Sequence, residues 1–222
     1  MFPYADDELS FWTGYFTSRS NAKGYVRRGS SIVQSANKVF GADIIDQSKA
    51  QTRFQEIITA QAEALDHMGI LQHHDAVTGT AKQAVAENYN SRIFRGIQAT
   101  NNVFVKSLDD YVKQVMPTIQ TNGPWTWCVR ENSTYLDCPV SEQPANANIT
   151  IAAFNSAATP MDVVSIIVKT PHYTVQAYNH TTGSWESLGN DSATIICENE
   201  TLSNNFTIDS CVLHVAYPVD GH

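Results

Sequence analysis

The sequence predicts an α+β chain, a three-helix antiparallel bundle followed by a β-sandwich domain that is expected to continue past His222, because its last strand runs to within a few residues of the end. Three observations carry that expectation. Apolar residues recur at helical spacing from about Ser18 to Val115; short runs of Val, Ile, Thr and aromatics, punctuated by Asn, Gly, Pro and Ser, come after Pro124; and charge and Asn usage change abruptly near residue 130. The division is a lead-in loop with an aromatic segment at 1–20, the bundle at 21–120 and a glycosylated sandwich at 121–222.

Each helix is read from its stripe. Ile32, Val33, Ala36, Val39 and Phe40 form the first; Phe54, Ile57, Ile58, Gln61, Leu65 and Met68 the second; Tyr89, Ile93, Ile97, Phe104, Leu108, Tyr111 and Val115 the third. Gly41 with the 43–47 stretch breaks the first pair, Gly69 to Gly79 breaks the second, and Pro117 ends the third, so the connections are short enough for antiparallel neighbours. Thr80 with Gln83 three residues on has capping-box form and places the start of the third helix there. The expected strands are Ile149–Phe154, Asp162–Lys169, Thr174–Tyr178, Ser184–Ser187, Thr194–Cys197 and Phe206–Ala216, with His180 to Gly183 as a hairpin loop.

Composition excludes several classes of function. The 222 residues are 42% hydrophobic and only 16% charged, which argues for a folded chain and against disorder. The net charge of −8 leaves no broad basic face for nucleic acid or an anionic membrane, and no apolar run approaches the ~20 residues of a membrane span. Through Arg130 there are 13 basic and 12 acidic residues; from Glu131 onward there is one basic residue against ten acidic. In that acidic part Asn132, Asn148, Asn179, Asn190, Asn199 and Asn205 each open an N-x-Ser/Thr triplet, and none occurs before it. Clustered sequons imply the secretory pathway. Cys128, Cys138, Cys197 and Cys211 agree with an oxidising compartment; of three connectivities, Cys128–Cys138 and Cys197–Cys211 close the smallest loops. The first residues have neither a basic n-region nor an apolar h-region, so the expectation is a piece of a longer glycoprotein.

Two segments are candidates for chemistry. Leu71-Gln72-His73-His74-Asp75-Ala76-Val77-Thr78-Gly79-Thr80 places two imidazoles and a carboxylate in the loop before the third helix, where the helix start should keep the carboxylate ionised and the imidazoles neutral. Neutral imidazole is the common zinc ligand, but adjacent side chains seldom chelate one ion, so at most one His is expected to bind directly; a hydrogen-bonded loop without a ligand is the plain alternative. The second segment is Phe2-Pro3-Tyr4-Ala5-Asp6-Asp7 with Phe11-Trp12-Thr13-Gly14-Tyr15-Phe16-Thr17-Ser18-Arg19. Aromatic rings beside carboxylates suit a sugar, which has an apolar ring face edged by hydroxyls; packing of the rings against the bundle is the alternative.

Read together, these two segments and their spacing resemble the class II α-mannosidases, glycoside hydrolase family 38, and within it the lysosomal or vacuolar acid type more than the Golgi type. The resemblance is specific across 2–100 and from about 125 persists as architecture, including a short Cys-to-Cys loop holding a sequon, as Cys128 to Cys138 holds Asn132. It implies that His74 is one of four protein ligands to a catalytic zinc, that His73 and Asp75 hold sugar hydroxyls, and that Trp12 stacks on or walls the mannose subsite. It also implies an upstream His-x-Asp pair, an aspartate that both ligates zinc and attacks the sugar, and a further aspartate as acid and base; none of these matches a position in this chain. The expectation is therefore a middle segment of a retaining α-mannosidase acting on N-glycans, as a processed subunit or a truncated product, inert and weakly zinc-binding alone. Its expected partners are mannose-containing glycans and the α/β catalytic and C-terminal β domains of the same enzyme, in the lysosome, vacuole or secreted space. A secreted, non-catalytic mannose-binding or interaction module is the alternative.

Overall fold

A computed structural model describes residues 4–46, 48–49, 51–117, 125–127, 148–157, 159, 164–168, 173–179, 181–190, 192–201 and 207–216. The chain divides into two compact units, Met1–Asp110 and Tyr111–His222. The first begins with a 3-10 helix, Trp12–Phe16, and contains α1 (Ser20–Ile45), α2 (Gln51–Leu71) and most of α3 (Gln83–Val115). The second contains β1 (Val164–Val168), β2 (Gln176–Asn179), β3 (Ser184–Ser187), β4 (Ala193–Thr201) and β5 (Thr207–Val215). Helices and then antiparallel strands make the chain α+β, as its periodicity predicts. No helix among the described residues is long and apolar enough to cross a membrane.

The helical core is built by Val33, Ala36 and Phe40 of α1, Ile57, Ala60, Ala64 and Leu71 of α2, and Ile93, Ile97, Val103 and Phe104 of α3. Two glycines set how closely these helices approach. A Cβ on Gly29 would lie 2.8 Å from Ile93 Cδ1, and a Cβ on Gly96 would lie 3.1 Å from Ala64 Cα and 3.6 Å from the His67 side chain. Small residues at these crossings bring the backbones near enough for the larger side chains above and below to interlock.

The second predicted stripe is right only in part: Ile57 is buried and Gln61 and Met68 are half-buried, but its other members face outward. Phe54, Ile58 and Leu65 are 36%, 45% and 59% exposed, while the inward face is Ile57, Ala60, Ala64, His67 and Leu71. The reason is the close approach at Gly96: where backbones nearly touch, alanine fits and leucine does not, so the largest apolar residues are on the other side. Tyr111 of the third stripe is exposed too.

The turn between α1 and α2 is closed by local and long-range polar contacts. Asp46 accepts from the Ser48 amide at 2.9 Å and hydroxyl at 2.7 Å. Arg53, 15% exposed, lies 3.4 Å from Asp43 and 3.3 Å from Asp110, and donates to Ser107 Oγ at 3.0 Å; Ser107 donates to Asp43 at 2.6 Å. A guanidinium with several planar donors can join three helices in this way, where a single ammonium could not.

In the second unit β5 is central, antiparallel to β1 on one side (Val164 opposite Val215, Val168 opposite Cys211) and to β4 on the other (Ala193 opposite Val215, Thr201 opposite Thr207). Cys211, Leu213 and Val215 alternate along β5 and pack with Val168, Ile195, Tyr173 and Val175. Cys197 and Cys211 are directly opposite in register and form a disulfide, one of the two expected pairs. β2 and β3 form the expected hairpin; Asn179 Oδ1 accepts from the amides of Thr181 and Thr182, and Gly183 takes a φ of +67°. Ile149–Phe154, expected as a strand, is irregular: β propensity without a paired neighbour does not make a strand. Cys128, Cys138, Asn132 and Asn205 lie outside the described residues.

This packing gives two expected outcomes. Replacing Gly96 by Leu should lower the stability of the chain by about 1–3 kcal/mol through overpacking against Ala64, whereas Gly41→Ala, where nothing lies within 4 Å, should be neutral or stabilise by up to about 1 kcal/mol; denaturant midpoints separate the two. Replacing Cys197 and Cys211 by Ser opens a cross-link between residues 14 apart in sequence and should cost about 3 kcal/mol, read as a fall in the unfolding midpoint that a reducing agent reproduces in the unsubstituted protein.

Candidate functional site

The loop between α2 and α3 is a run of consecutive turns. Gln72 and His73 donate back to Gly69 and Ile70, Ala76 and Val77 both donate to the His73 carbonyl, and Gly79 donates to Ala76. This winding brings the three adjacent side chains to one place: one ligand atom each from His73, His74 and Asp75 lies within 4.8 Å of the others. His73 Nε2 is 3.3 Å and His74 Nε2 3.6 Å from Asp75 Oδ2, and the two imidazole rings are 4.2 Å apart at 51°. The His74 side chain is 82% exposed, so its ring nitrogens are open to a ligand.

Asp75 is placed by the residues just downstream of it. Thr80 donates its hydroxyl to Asp75 Oδ1 at 2.9 Å, the Ala81 amide donates to the Asp75 carbonyl at 3.0 Å, and the Thr78 hydroxyl bonds the His74 carbonyl. The Thr80 hydrogen bond holds the Asp75 carboxyl below the usual carboxylate range against the opposing effect of burial, with smaller help from the neighbouring His74 and His73. The sequence predicts ionisation from the helix start; the structure assigns it to a hydroxyl instead. The capping box is also displaced. α3 begins at Gln83, its first turn closing on the Lys82 carbonyl, because Thr80 is committed to Asp75 and Gln83 to Glu87 and Arg19.

The aromatic segment is a compact lead-in. Ala5 and Phe11 bridge antiparallel, the Trp12 amide donates to the Tyr4 carbonyl at 2.9 Å, and Asp7 closes the turn between them by accepting from Leu9 and Ser10. Trp12 packs edge-on against Tyr4 with centroids 5.2 Å apart, and its Nε1 donates to Asp6 at 2.9 Å. Tyr15 and Phe16 stack at 4.2 Å. These rings do not seat on the bundle core: Tyr4, Phe11, Trp12 and Phe16 are each more than half exposed. They form an outward apolar patch, with a carboxylate bonded to the indole, beside the start of α1.

The two segments meet through residues for which the sequence alone indicates no role. Arg19 donates to the carbonyls of Gly79 and Ala81, both at 2.6 Å, Lys23 donates to Thr78 at 2.9 Å, and Ser18 donates to Gly79 at 3.2 Å. A positive φ of 49° at Arg19, unusual for a residue with a side chain, is the available signal, and it is a backbone property invisible to composition. Of the sequons, Asn148 and Asn190 are exposed, Asn199 lies in β4, and the Asn179 amide donates to Glu186 at 2.7 Å.

Residues 10–110 match the protein family described as the α-mannosidase middle domain, a match that ends at the residue where the first compact unit ends. The chain is 40% identical over 98 residues to the lysosomal α-mannosidase of Dictyostelium discoideum (43% of this chain, 9% of the relative). It is 38% identical over 141 residues to a probable α-mannosidase of Arabidopsis thaliana (64% and 12%) and 34% identical over 110 residues to α-mannosidase 2 of Homo sapiens (48% and 10%). The chain thus spans about a tenth of the length of these relatives. Residues 10–110 are thus similar to the α-mannosidase middle domain, and the chain is homologous to a segment of such glycosidases.

Proposed function

We propose that this chain is the middle segment of a zinc-dependent retaining α-mannosidase that removes terminal α-linked mannose from N-glycans. The observation that carries the reading is the meeting of His73, His74 and Asp75 donor atoms within 4.8 Å, on a loop bonded to the end of an exposed aromatic segment, inside the region that matches the family. The donor set suits zinc, which takes imidazole and carboxylate, and a tetrahedral site needs at least one further donor from elsewhere in the enzyme. In this reading His74 is the metal ligand. When bound, zinc supplies Lewis acidity toward the sugar hydroxyls.

The remaining roles belong to this chain's own side chains. Asp75, kept ionised by Thr80, accepts a hydrogen bond from a sugar hydroxyl, and His73 offers its ring nitrogen beside it. Trp12, with its Nε1 tied to Asp6, presents a fixed ring face to the mannose. The nucleophile and the acid/base carboxylate, which a retaining glycosidase needs on either side of the scissile bond, come from other parts of the enzyme, and the outward faces of α2 and the aromatic segment are where those parts pack. Six sequons and a disulfide accord with a secretory-pathway protein, and the lysosomal relative accords with delivery to the lysosome or vacuole. A non-catalytic mannose-binding module is the second reading, favoured by the exposure of the rings.

In the enzyme that carries this segment, His74→Ala should lose zinc and reduce turnover by more than the roughly 10–100-fold that loss of an outer-sphere partner costs, measured by metal analysis and hydrolysis of a nitrophenyl α-mannoside. Trp12→Ala should raise KM more than it lowers kcat. The isolated 222-residue chain supplied with zinc should not hydrolyse the same substrate; steady turnover would overturn the placement of the chemistry elsewhere, and mannose binding without a zinc requirement would favour the module.

A further inference from the structure

We infer that Arg19 is the positioning residue of the His73-His74-Asp75 loop, fixing its imidazole and carboxylate donors before any cation or sugar arrives. The inference rests on the reading of His74 as a metal ligand.

Nη1 of Arg19 donates to two carbonyls, Gly79 and Ala81, both at 2.6 Å, and Nη2 donates to Gln83 Oε1 at 3.3 Å. Lys23 adds Thr78 and Ser18 adds Gly79 again. The stretch from 78 to 81 is thereby pinned to the start of α1. The same stretch holds the donors: Thr78 bonds the His74 carbonyl, Thr80 bonds the Asp75 carboxylate, and the Ala81 amide bonds the Asp75 carbonyl. Immobilising 78–81 therefore immobilises His74 and Asp75, although Arg19 touches neither. Charge-assisted donors on neutral carbonyls are strong and directional, and a loop carrying several exposed polar side chains needs them, because it has little apolar surface of its own to bury.

The backbone on both sides is shaped for this contact. Arg19 takes the left-handed conformation, φ 49°, the one non-glycine residue to do so among the described residues. Gly79 takes φ +80°, and a Cβ there would lie 2.7 Å from the Ser18 carbonyl oxygen. Only glycine allows the loop to approach Ser18 and Arg19 this closely. Among the described residues the side-chain hydrogen-bond partners of Arg19 all lie in 79–83, none in the helical core, so its removal should free the loop and leave the bundle folded.

The test uses the full-length enzyme with Arg19→Met, Arg19→Lys and, as an independent route, Gly79→Val, which leaves Arg19 in place but blocks the approach. Hydrogen exchange is read in the metal-stripped protein, zinc retention against a chelator in the loaded one, together with kcat, KM and the melting temperature. In Arg19→Met the amides of Ala76, Val77, Gly79 and Ala81 should exchange at least about tenfold faster while those of α1 and α2 keep their rates, and zinc retention should fall about 10–100-fold. Gly79→Val should do the same, and Arg19→Lys should recover part of the loss, since an ammonium can reach one carbonyl but cannot fork across both and reach Gln83. Unchanged loop exchange in both Arg19→Met and Gly79→Val, or acceleration spread evenly over all three helices, overturns the inference. His74→Ala tests the underlying reading separately: if it keeps zinc and activity, the metal assignment falls, and loop exchange in Arg19→Met still decides whether Arg19 holds the loop.

Discussion

The close approach of α3 to both of its neighbours over Ile93 to Ile97 is the constraint on which the helical unit depends. Gly29 of α1 receives the side chains of Ile93 and Ile97, and one turn away Gly96 of α3 lies against Ala64 and His67 of α2. Any other residue at Gly96 would have to displace a backbone atom. With these two crossings fixed, α2 must end and α3 must begin at set points, and the eleven residues between Leu71 and Gln83 have only one region of space to occupy. The loop that carries His73, His74 and Asp75 is thus located by packing several turns away from it.

Packing places the loop, and polar contacts shape it. Within the loop the side chains of Thr78 and Thr80 orient His74 and Asp75, and from outside it Ser18, Arg19 and Lys23 hold the carbonyls of Thr78, Gly79 and Ala81. Lys23 shows the cost of this arrangement: burial, with the charge of Arg19 adding to it, lowers its affinity for the proton. Two cations are brought together because loop carbonyls are there to accept from them. Ser18 and Arg19 also end the aromatic segment, so the exposed rings and the His73-His74-Asp75 cluster share one set of anchors. In a mannosidase that sharing would let a single rigid piece present both the ring face and the hydroxyl-binding groups of a subsite.

How the second unit is held contrasts with this. Among the described residues its core gathers Val168, Cys211 and Leu213 with Tyr173, Val175, Ile195 and Val215 around them, and the cross-strand disulfide between Cys197 and Cys211 ties β4 to β5. Small β structures in oxidising compartments commonly depend on such links.

Composition and spacing alone determined the α+β order of the chain, the existence of three helices, the β2–β3 hairpin, the Cys197–Cys211 pair and the two segments singled out as candidates for chemistry. All of these are set by local chemistry: apolar period, turn residues, small loops, and runs of unusual side chains. Tertiary structure decided the rest. Which face of α2 turns inward depends on how near α3 comes, so Ala60 and Ala64 are buried and Phe54, Ile58 and Leu65 are not. Where α3 begins depends on whether Thr80 bonds its own helix or Asp75, and Arg19 became legible only once its guanidinium met carbonyls about sixty residues along the chain. A sequence reports what each residue is able to bond; the approach of distant backbones settles which of those bonds is made.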